Sequence, residues 1–242
     1  GILKHCARRN AELINAQEPN GIAARFLNGT QPSLEAQLCN LADAIAYNAH
    51  DIDDGIRSGL ITLEQMQGVP LFSQFCQLAL NSHAQLSQPS QARRLMYESI
   101  RLMLSQQVYD VVEATQSALN QLGPLNAATA RLEGPIVRFT DAMRAQSLEL
   151  KSFLFRNLYR HPQVIDTMER AKQVVSELFE AYCEEPAQMQ ASFTDRAARS
   201  ATQASMRPSA SSVQRVVADY IAGMTDRFAL DEYKRFFEIG RA

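Results

Sequence analysis

Apolar residues recur at steps of three and four along most of the chain, which is the spacing of helices with one buried face. No stretch alternates apolar and polar residues for long enough to predict a strand. The pattern and its breaks predict helices over about 2–16, 30–59, 71–80, 91–122, 138–160, 163–182, 211–228 and 231–237. The expected fold class is therefore all-α, a bundle of many helices.

Short polar motifs refine these boundaries. Thr62 with Gln65, and Ser211 with Gln214, match a capping box, so each pair is expected to begin a helix. The segment 184–208 is rich in Ala, Ser, Gln and Thr, and we expect a weak helix and a mobile connection there. Gly223, inside the predicted helix 211–228, is expected to allow close packing of helices.

Composition and charge narrow the class of protein. The chain has 242 residues, 46% hydrophobic and 21% charged, which is typical of a soluble domain with a sizeable core. Its net charge of -2 argues against nucleic acid or an anionic membrane as the main partner. Four distant cysteines without a CxxC pair fit neither a zinc module nor a disulfide scaffold, so a reducing cytoplasm is expected. No apolar run reaches the roughly 18 residues of a membrane span.

The predicted helix 34–56 has two distinct faces. One is a continuous apolar stripe, expected to be core, made of Leu34, Leu38, Leu41, Ile45, Ala49, Ile52 and Ile56. The other carries Asp43, Tyr47, His50, Asp51 and Asp54. Spacing alone leaves two interpretations: a solvated outer face, or Asp43 as an oxygen ligand of a divalent cation with Tyr47 and Asp51 facing the same bound ligand. A lone Asp cannot hold a metal, and the other histidines show no ligand spacing, so no autonomous metal site is predicted.

A second candidate cluster lies on a later helix. Lys151, Phe155 and Tyr159 are four residues apart on one ridge, with Arg160 and His161 at the helix end. From spacing alone, Tyr159 could be a half-buried core aromatic and Lys151 a cation that extends into solvent. Three arginines on the helix before it, Arg93, Arg94 and Arg101, are expected to be solvated or ion-paired.

The sequences of four segments resemble those of a known family. LEAQLCNLADAIAYNAHDIDDGIRSGLI (34–61) closely resembles the segment with the last motif of HD-domain deoxynucleoside triphosphate (dNTP) triphosphohydrolases, the dGTPase-like family. QQVYDVVEAT (106–115), LKSFLFRNLYRHPQV (150–164) and RVVADYIAGMTDRFALDEYKRFF (215–237) continue the resemblance. It implies a helical bundle of the HD-domain dNTPase type that holds a divalent metal, Mg²⁺ or Mn²⁺, through a His, a His-Asp pair and a final Asp. Such an enzyme hydrolyses a dNTP to a deoxynucleoside and triphosphate.

The resemblance also implies roles for single residues. Asp43 matches the final metal ligand, Tyr47 lines the substrate pocket, and Asp51 meets the sugar hydroxyl, so that together they exclude a ribose 2′-hydroxyl. Lys151 matches a cation that contacts the triphosphate. Tyr159 matches an aromatic residue that packs on the deoxyribose and base. The likeness of Tyr220, Met224 and Asp226 to a family motif implies a structural role.

The departures from the family pattern predict an incomplete site. The upstream His and His-Asp pair have no counterpart, because the one His-Asp dipeptide, His50-Asp51, follows the matched Asp43. The chain also begins at Gly1 without a Met. We therefore expect a C-terminal part, with residues 1–60 ending the metal-site domain and 61–242 forming the helical C-terminal region. It is expected to be inactive alone, with no catalytic residue of its own.

These expectations extend to partners and to one rival class of function. The expected partners are a dNTP, dGTP foremost, the missing N-terminal segment of the same protein, and further copies in a homo-oligomer. Single-stranded nucleic acid as a regulator stays open, and no membrane is expected. The alternative is a non-catalytic helical regulatory or interaction protein that has kept the fold without the chemistry.

Overall fold

The computed structural model describes residues 8–21, 23–204 and 213–237. All regular elements in these ranges are helical, which confirms the all-α fold class. The α-helices are α1 (Arg8–Gln17), α2 (Ala24–Leu27), α3 (Leu34–Arg57), α4 (Leu63–Gln67), α5 (Pro70–Ser82), α6 (Ala92–Leu122), α7 (Asp141–Leu154), α8 (Pro162–Glu184), α9 (Ala191–Ala204), α10 (Val213–Ala222) and α11 (Asp226–Phe237). A π-helical turn, Phe155–Tyr159, continues α7.

The described residues up to His161 form one compact unit. Its main core joins the second half of α3 to α4, α5, α6 and α7, with Ile52, Phe72, Met103 and Leu150 fully enclosed. A smaller apolar cluster joins the end of α6 to the segment that leads into α7. Ile52 and Phe72 share one core, so residues on both sides of position 60 pack together. The domain boundary expected near position 60 stays a prediction about the complete protein.

The described residues from Pro162 onward form a second compact unit. Helices α9, α10 and α11 pack on or beside α8 around the fully buried ring of Tyr182. Tyr220 and Phe236 meet this ring edge-on, with centroid distances of 5.2 and 5.1 Å. The hydroxyl of Tyr182 donates a hydrogen bond to Glu232 on α11, which gives the polar end of the ring a partner.

Capping residues explain several of the helix ends. The Thr62 hydroxyl accepts from the Gln65 backbone N–H at 3.1 Å, and the Gln65 side chain accepts from the Thr62 N–H at 2.8 Å, so the predicted capping box is confirmed. Gly123 ends α6 with a φ of 71°, a conformation that favours glycine. Ser211 of the second predicted capping box lies outside the described residues, as do residues 2–7 of the first predicted helix.

Two boundary predictions are wrong near the end of the chain. The predicted helix 211–228 ends at Ala222, where the Gly223 N–H bonds to carbonyls of the last turn. The helix predicted over 231–237 begins earlier, as α11 at Asp226. Gly223 therefore marks a helix end and not a close approach, since an added Cβ would meet nothing nearer than 3.5 Å. In the segment predicted as a weak helix, α9 is regular over Ala191–Ala204 because its alanines favour a helix and Ala197 is buried.

The apolar stripe of α3 is buried over part of its length. Ile45, Ala49 and Ile52 are buried as predicted. Leu38 is 51% exposed, so its prediction as core is wrong. The enclosed core beneath α3 begins at Ile45, and Leu38 lies two turns before it.

Candidate active-site groove

The polar face of α3 presents a ridge of side chains at steps of four. Ser33 caps the helix by accepting from the Ala36 N–H, and the helix then runs without interruption past Asp43, Tyr47 and Asp51. Asp43 and Tyr47 are exposed, and Asp51 is half-buried. This spacing places the three side chains one above another on one side of α3.

The second ridge lies on α7 and the π-helical turn that follows it. The Arg160 N–H donates to the Phe155 carbonyl at 3.0 Å, five residues earlier, which defines the wider turn. Lys151, Phe155 and Tyr159 still project to one side, and the Arg160 guanidinium lies 5.3 Å from the centroid of the Phe155 ring. Turns of this kind often occur at functional sites because they shift the side chains that follow by a fraction of a turn.

The two ridges face each other across one groove of about 530 Å³. The structure thus brings together the five site residues predicted from the sequence, Asp43, Tyr47, Asp51, Lys151 and Tyr159. The groove is lined by Asn40, Asp43, Ala44, Tyr47, Asn48, Asp51, Lys151, Leu154, Phe155 and Tyr159. It is open to solvent, and Asp43 stays exposed at its side. His50 and Asp54, on the same broad face of α3, are exposed and do not line it.

One direct hydrogen bond joins the two ridges. The Tyr159 hydroxyl donates to Asp51 Oδ2 at 2.6 Å. This bond, together with partial burial and the negative charge of Asp51, raises the pKa of Tyr159 to about 12, and Tyr47 adds a smaller contribution. Tyr159 is therefore protonated at neutral pH and fixes the orientation of the Asp51 carboxylate.

Buried or shielded polar side chains fix α7 against its neighbours. Gln37 of α3 accepts from the backbone N–H groups of Ile136 and Val137, at 2.9 and 3.1 Å. Asp110 of α6 accepts from the Thr140 N–H and hydroxyl, and Thr140 in turn caps α7. These bonds set where α7 begins and hence where Lys151 lies.

Comparison with known proteins identifies a matching family model and similar proteins. A family model described as "Phosphohydrolase-associated domain" matches residues 137–235. A "Deoxyguanosinetriphosphate triphosphohydrolase-like protein" of Bordetella pertussis is 41% identical over 99% of this chain and 57% of its own length. Proteins with the same description in Ralstonia nicotianae and Azoarcus sp. are 40% and 38% identical over 99% of this chain, which spans 56% and 58% of their lengths.

The chain is a relative of these dGTPase-like proteins. It spans somewhat more than half the length of the curated relatives that it matches. The family model covers Lys151, Phe155 and Tyr159 but not the ridge of α3. The ridge of α3 lies within the 99% of this chain that aligns with the relatives. The resemblance expected from segments on both ridges is confirmed.

Asp43, the predicted metal ligand, is one of the oxygen-bearing side chains that line the groove. Asn40 and Asn48 line the groove as well. Among the described residues, no group of three or more His, Cys, Asp and Glu side chains could hold a metal ion. These residues by themselves do not form a metal cage, and the assignment of Asp43 as a ligand stays a prediction.

Sequence reasoning missed part of the groove. Asn40, Ala44 and Asn48 form a second ridge of α3 next to that of Asp43, and their four-residue spacing could have identified them. The arginines of α6 are exposed as expected, and Arg101 pairs with Glu98 at 2.6 Å. Within the described residues, no helix has the length and apolar character that crossing a bilayer requires.

Proposed function

We propose that this chain supplies the substrate-binding part of a dNTP triphosphohydrolase, which converts a dNTP, dGTP foremost, to a deoxynucleoside and triphosphate. The supporting observation is the shared groove, in which a carboxylate ridge faces a cationic and aromatic ridge. The names of the relatives point to the same reaction class.

The residues of the groove suit the parts of a dNTP. The Lys151 ammonium is a mobile point charge that matches the spread charge of a triphosphate. The rings of Phe155 and Tyr159 offer apolar faces to the sugar and base. Asp51 uses Oδ2 to accept from Tyr159, so Oδ1 is left to accept from the 3′-hydroxyl of a deoxyribose. Tyr47, one turn earlier, would close the space that a 2′-hydroxyl needs.

In this proposal Asp43 is one ligand of a Mg²⁺ or Mn²⁺ ion in the complete enzyme, and the other ligands lie beyond the residues described. The bound ion would polarise a phosphate oxygen and lower the pKa of an attacking water. The described residues hold and orient the substrate beside it. Assembly as a homo-oligomer, a cytoplasmic location and the inactivity of the chain on its own also belong to this proposal.

The test is triphosphate release from each of the four dNTPs, with Mg²⁺ or Mn²⁺, by the full-length gene product and by the 242-residue chain. We expect turnover by the full-length protein alone. Asp43→Ala should abolish it, whereas Asp54→Ala, which removes an exposed carboxylate of the same helix outside the groove, should leave it unchanged. No release by the full-length protein would support the non-catalytic alternative, and release by the 242-residue chain would show that Asp43 is not a lone remaining ligand.

A further inference from the structure

A second pocket, of about 470 Å³, lies beside the groove, between α3, α6, α7 and the segment that precedes α7. Lys151 lies on the boundary between the two and lines both. Asn48 and Ala44 also line both, whereas Gln107, Arg138, Arg144 and Ser147 do not line the groove.

Gln107 gives this pocket a buried polar atom without a partner. The side chain is fully buried, and its Nε2 donates to the Ser147 hydroxyl at 3.1 Å. Its Oε1 is enclosed and accepts no hydrogen bond from any residue that the structure describes. A buried carbonyl oxygen is costly to leave unpaired, so this position favours a ligand with an N–H or O–H group.

The mouth of the pocket carries positive charge. Arg138 and Arg144 are exposed, and in the described ranges neither guanidinium takes part in an ion pair. Together with Lys151 they face a single lining carboxylate, that of Asp141. Two guanidinium groups free of ion pairs are suited to a phosphate, which they can bind through paired hydrogen bonds.

The remaining wall is apolar and includes the ring of Phe139 and the side chains of Ile45 and Leu148. A flat heterocycle with N–H groups fits such a wall, and a phosphate on the same molecule fits the arginines. We propose that this pocket binds a nucleoside monophosphate, with a base N–H donating to Gln107 Oε1 and the phosphate on Arg138 and Arg144. The proposal does not depend on the reaction proposed above, since neither Gln107 nor the arginines line the groove.

The test reads occupancy at the pocket itself in the full-length protein. Leu148→Cys places a thiol at an exposed lining position, and Leu132→Cys places one at an exposed position outside the pocket as the control. Maleimide labelling is followed at each residue by mass spectrometry of its peptide, with GMP as the probe. With GMP at about ten times its Kd we expect labelling at 148 to slow about tenfold and labelling at 132 to stay unchanged.

Variants in the Leu148→Cys background decide which groups bind. Arg144→Met and Gln107→Leu should each raise the GMP concentration that gives half-maximal protection about tenfold. Arg170→Met, at an exposed arginine on α8, should not change that concentration. Arg144 is exposed, so its variant is informative even if Gln107→Leu folds poorly. Tyr159→Phe, in the groove, should leave protection intact. Absence of protection, protection unaffected by Arg144→Met, or equal protection by inorganic phosphate or by guanosine would each overturn the proposal.

Discussion

Tyr159 and Asp51 are 108 residues apart in sequence and joined by a 2.6 Å hydrogen bond. The bond connects the π-helical turn after α7 to the polar ridge of α3. It is the one direct side-chain hydrogen bond between the two walls of the groove among the residues that the structure describes. The relative position of the walls therefore depends on how α7 is anchored and on how this turn packs.

The first prediction concerns this bond. Hydrogen bonding to Asp51, with burial and the Asp51 charge, raises the Tyr159 pKa from 10 to about 12, so the neutral hydroxyl is favoured in the folded state. Its contribution to stability is full below pH 10 and is lost as the pH rises towards 12. In a spectroscopic titration of tyrosine ionisation, Tyr159→Phe should remove one group that titrates near 12.

On the proposed function, the same variant should also affect substrate binding in the full-length protein. Without its donor, Asp51 is less well oriented, so we expect KM for the dNTP to rise several-fold. The free energy of unfolding should fall by no more than about 1 kcal/mol, because Tyr159 is half exposed. Tyr97→Phe, at an exposed site of α6, is the control. Loss of a group that titrates near 10, and not near 12, would contradict the bond.

The second prediction concerns Gly55, where α3 approaches the π-helical turn. A Cβ at Gly55 would lie 2.8 Å from two side-chain carbons of Ile61 and 3.3 Å from Leu158 Cδ1. Gly55→Ala should therefore destabilise the protein by about 1–3 kcal/mol through overpacking. Gly134→Ala, where an added Cβ has nothing within 4 Å, should be close to neutral. Denaturant unfolding measures both, and equal stability of the two variants would mean that Ile61 moves aside freely.

The third prediction concerns the anchor of α7. Gln37 is buried and accepts from two backbone N–H groups, those of Ile136 and Val137. Gln37→Leu keeps the size of the side chain but leaves both donors unpaired, and we expect a loss of about 3 kcal/mol in the free energy of unfolding. Gln74→Leu, at an exposed position of α5, should change it by less than about 0.5 kcal/mol. A loss for Gln37→Leu as small as that of the control would show that water replaces the amide.

Sequence spacing predicted each ridge of the groove and the order of the helices well. Asp43, Tyr47 and Asp51 follow from a step of four, and family resemblance joined them to Lys151 and Tyr159. The π-helical turn could not be predicted, because a five-residue hydrogen bond leaves no mark in a pattern of apolar residues. Gln37, Gln107 and Asp110 were missed for another reason: a periodicity argument assigns polar residues to the outside, although these three bond to other elements.

The fourth prediction concerns the second compact unit at acid pH. Burial would raise the pKa of Glu232, but hydrogen bonds from Arg235 and Tyr182 outweigh it and lower the pKa below 4.5. The stability that this carboxylate contributes is present above pH 4.5 and is lost as the pH falls through its lowered pKa. Glu232→Gln should cost about 1 kcal/mol at neutral pH and progressively less below pH 4.5.

Thermal unfolding followed by near-ultraviolet circular dichroism, which reports on the Tyr182 environment, measures this difference across the pH range. Glu169→Gln, which removes an exposed carboxylate of α8, is the matched control and should show no such pH dependence. A cost for Glu232→Gln that is constant with pH would mean that its charge does not matter to the folded state.

The last prediction concerns Lys151 and rests on the proposed function. Its ammonium lies on the wall opposite Asp43, so its charge would meet the triphosphate in both the bound and the transition states. Lys151→Ala in the full-length protein should therefore raise KM for dNTPs about tenfold or more with a smaller effect on kcat. Lys151→Arg should retain much of the affinity because the charge is kept, and Lys172→Ala on α8 serves as a control for lost surface charge. Raising the salt concentration should weaken binding in the parent protein more than in Lys151→Ala, since screening acts on the charge that the variant has lost. A fall in kcat with unchanged KM would instead place Lys151 at the reacting phosphate.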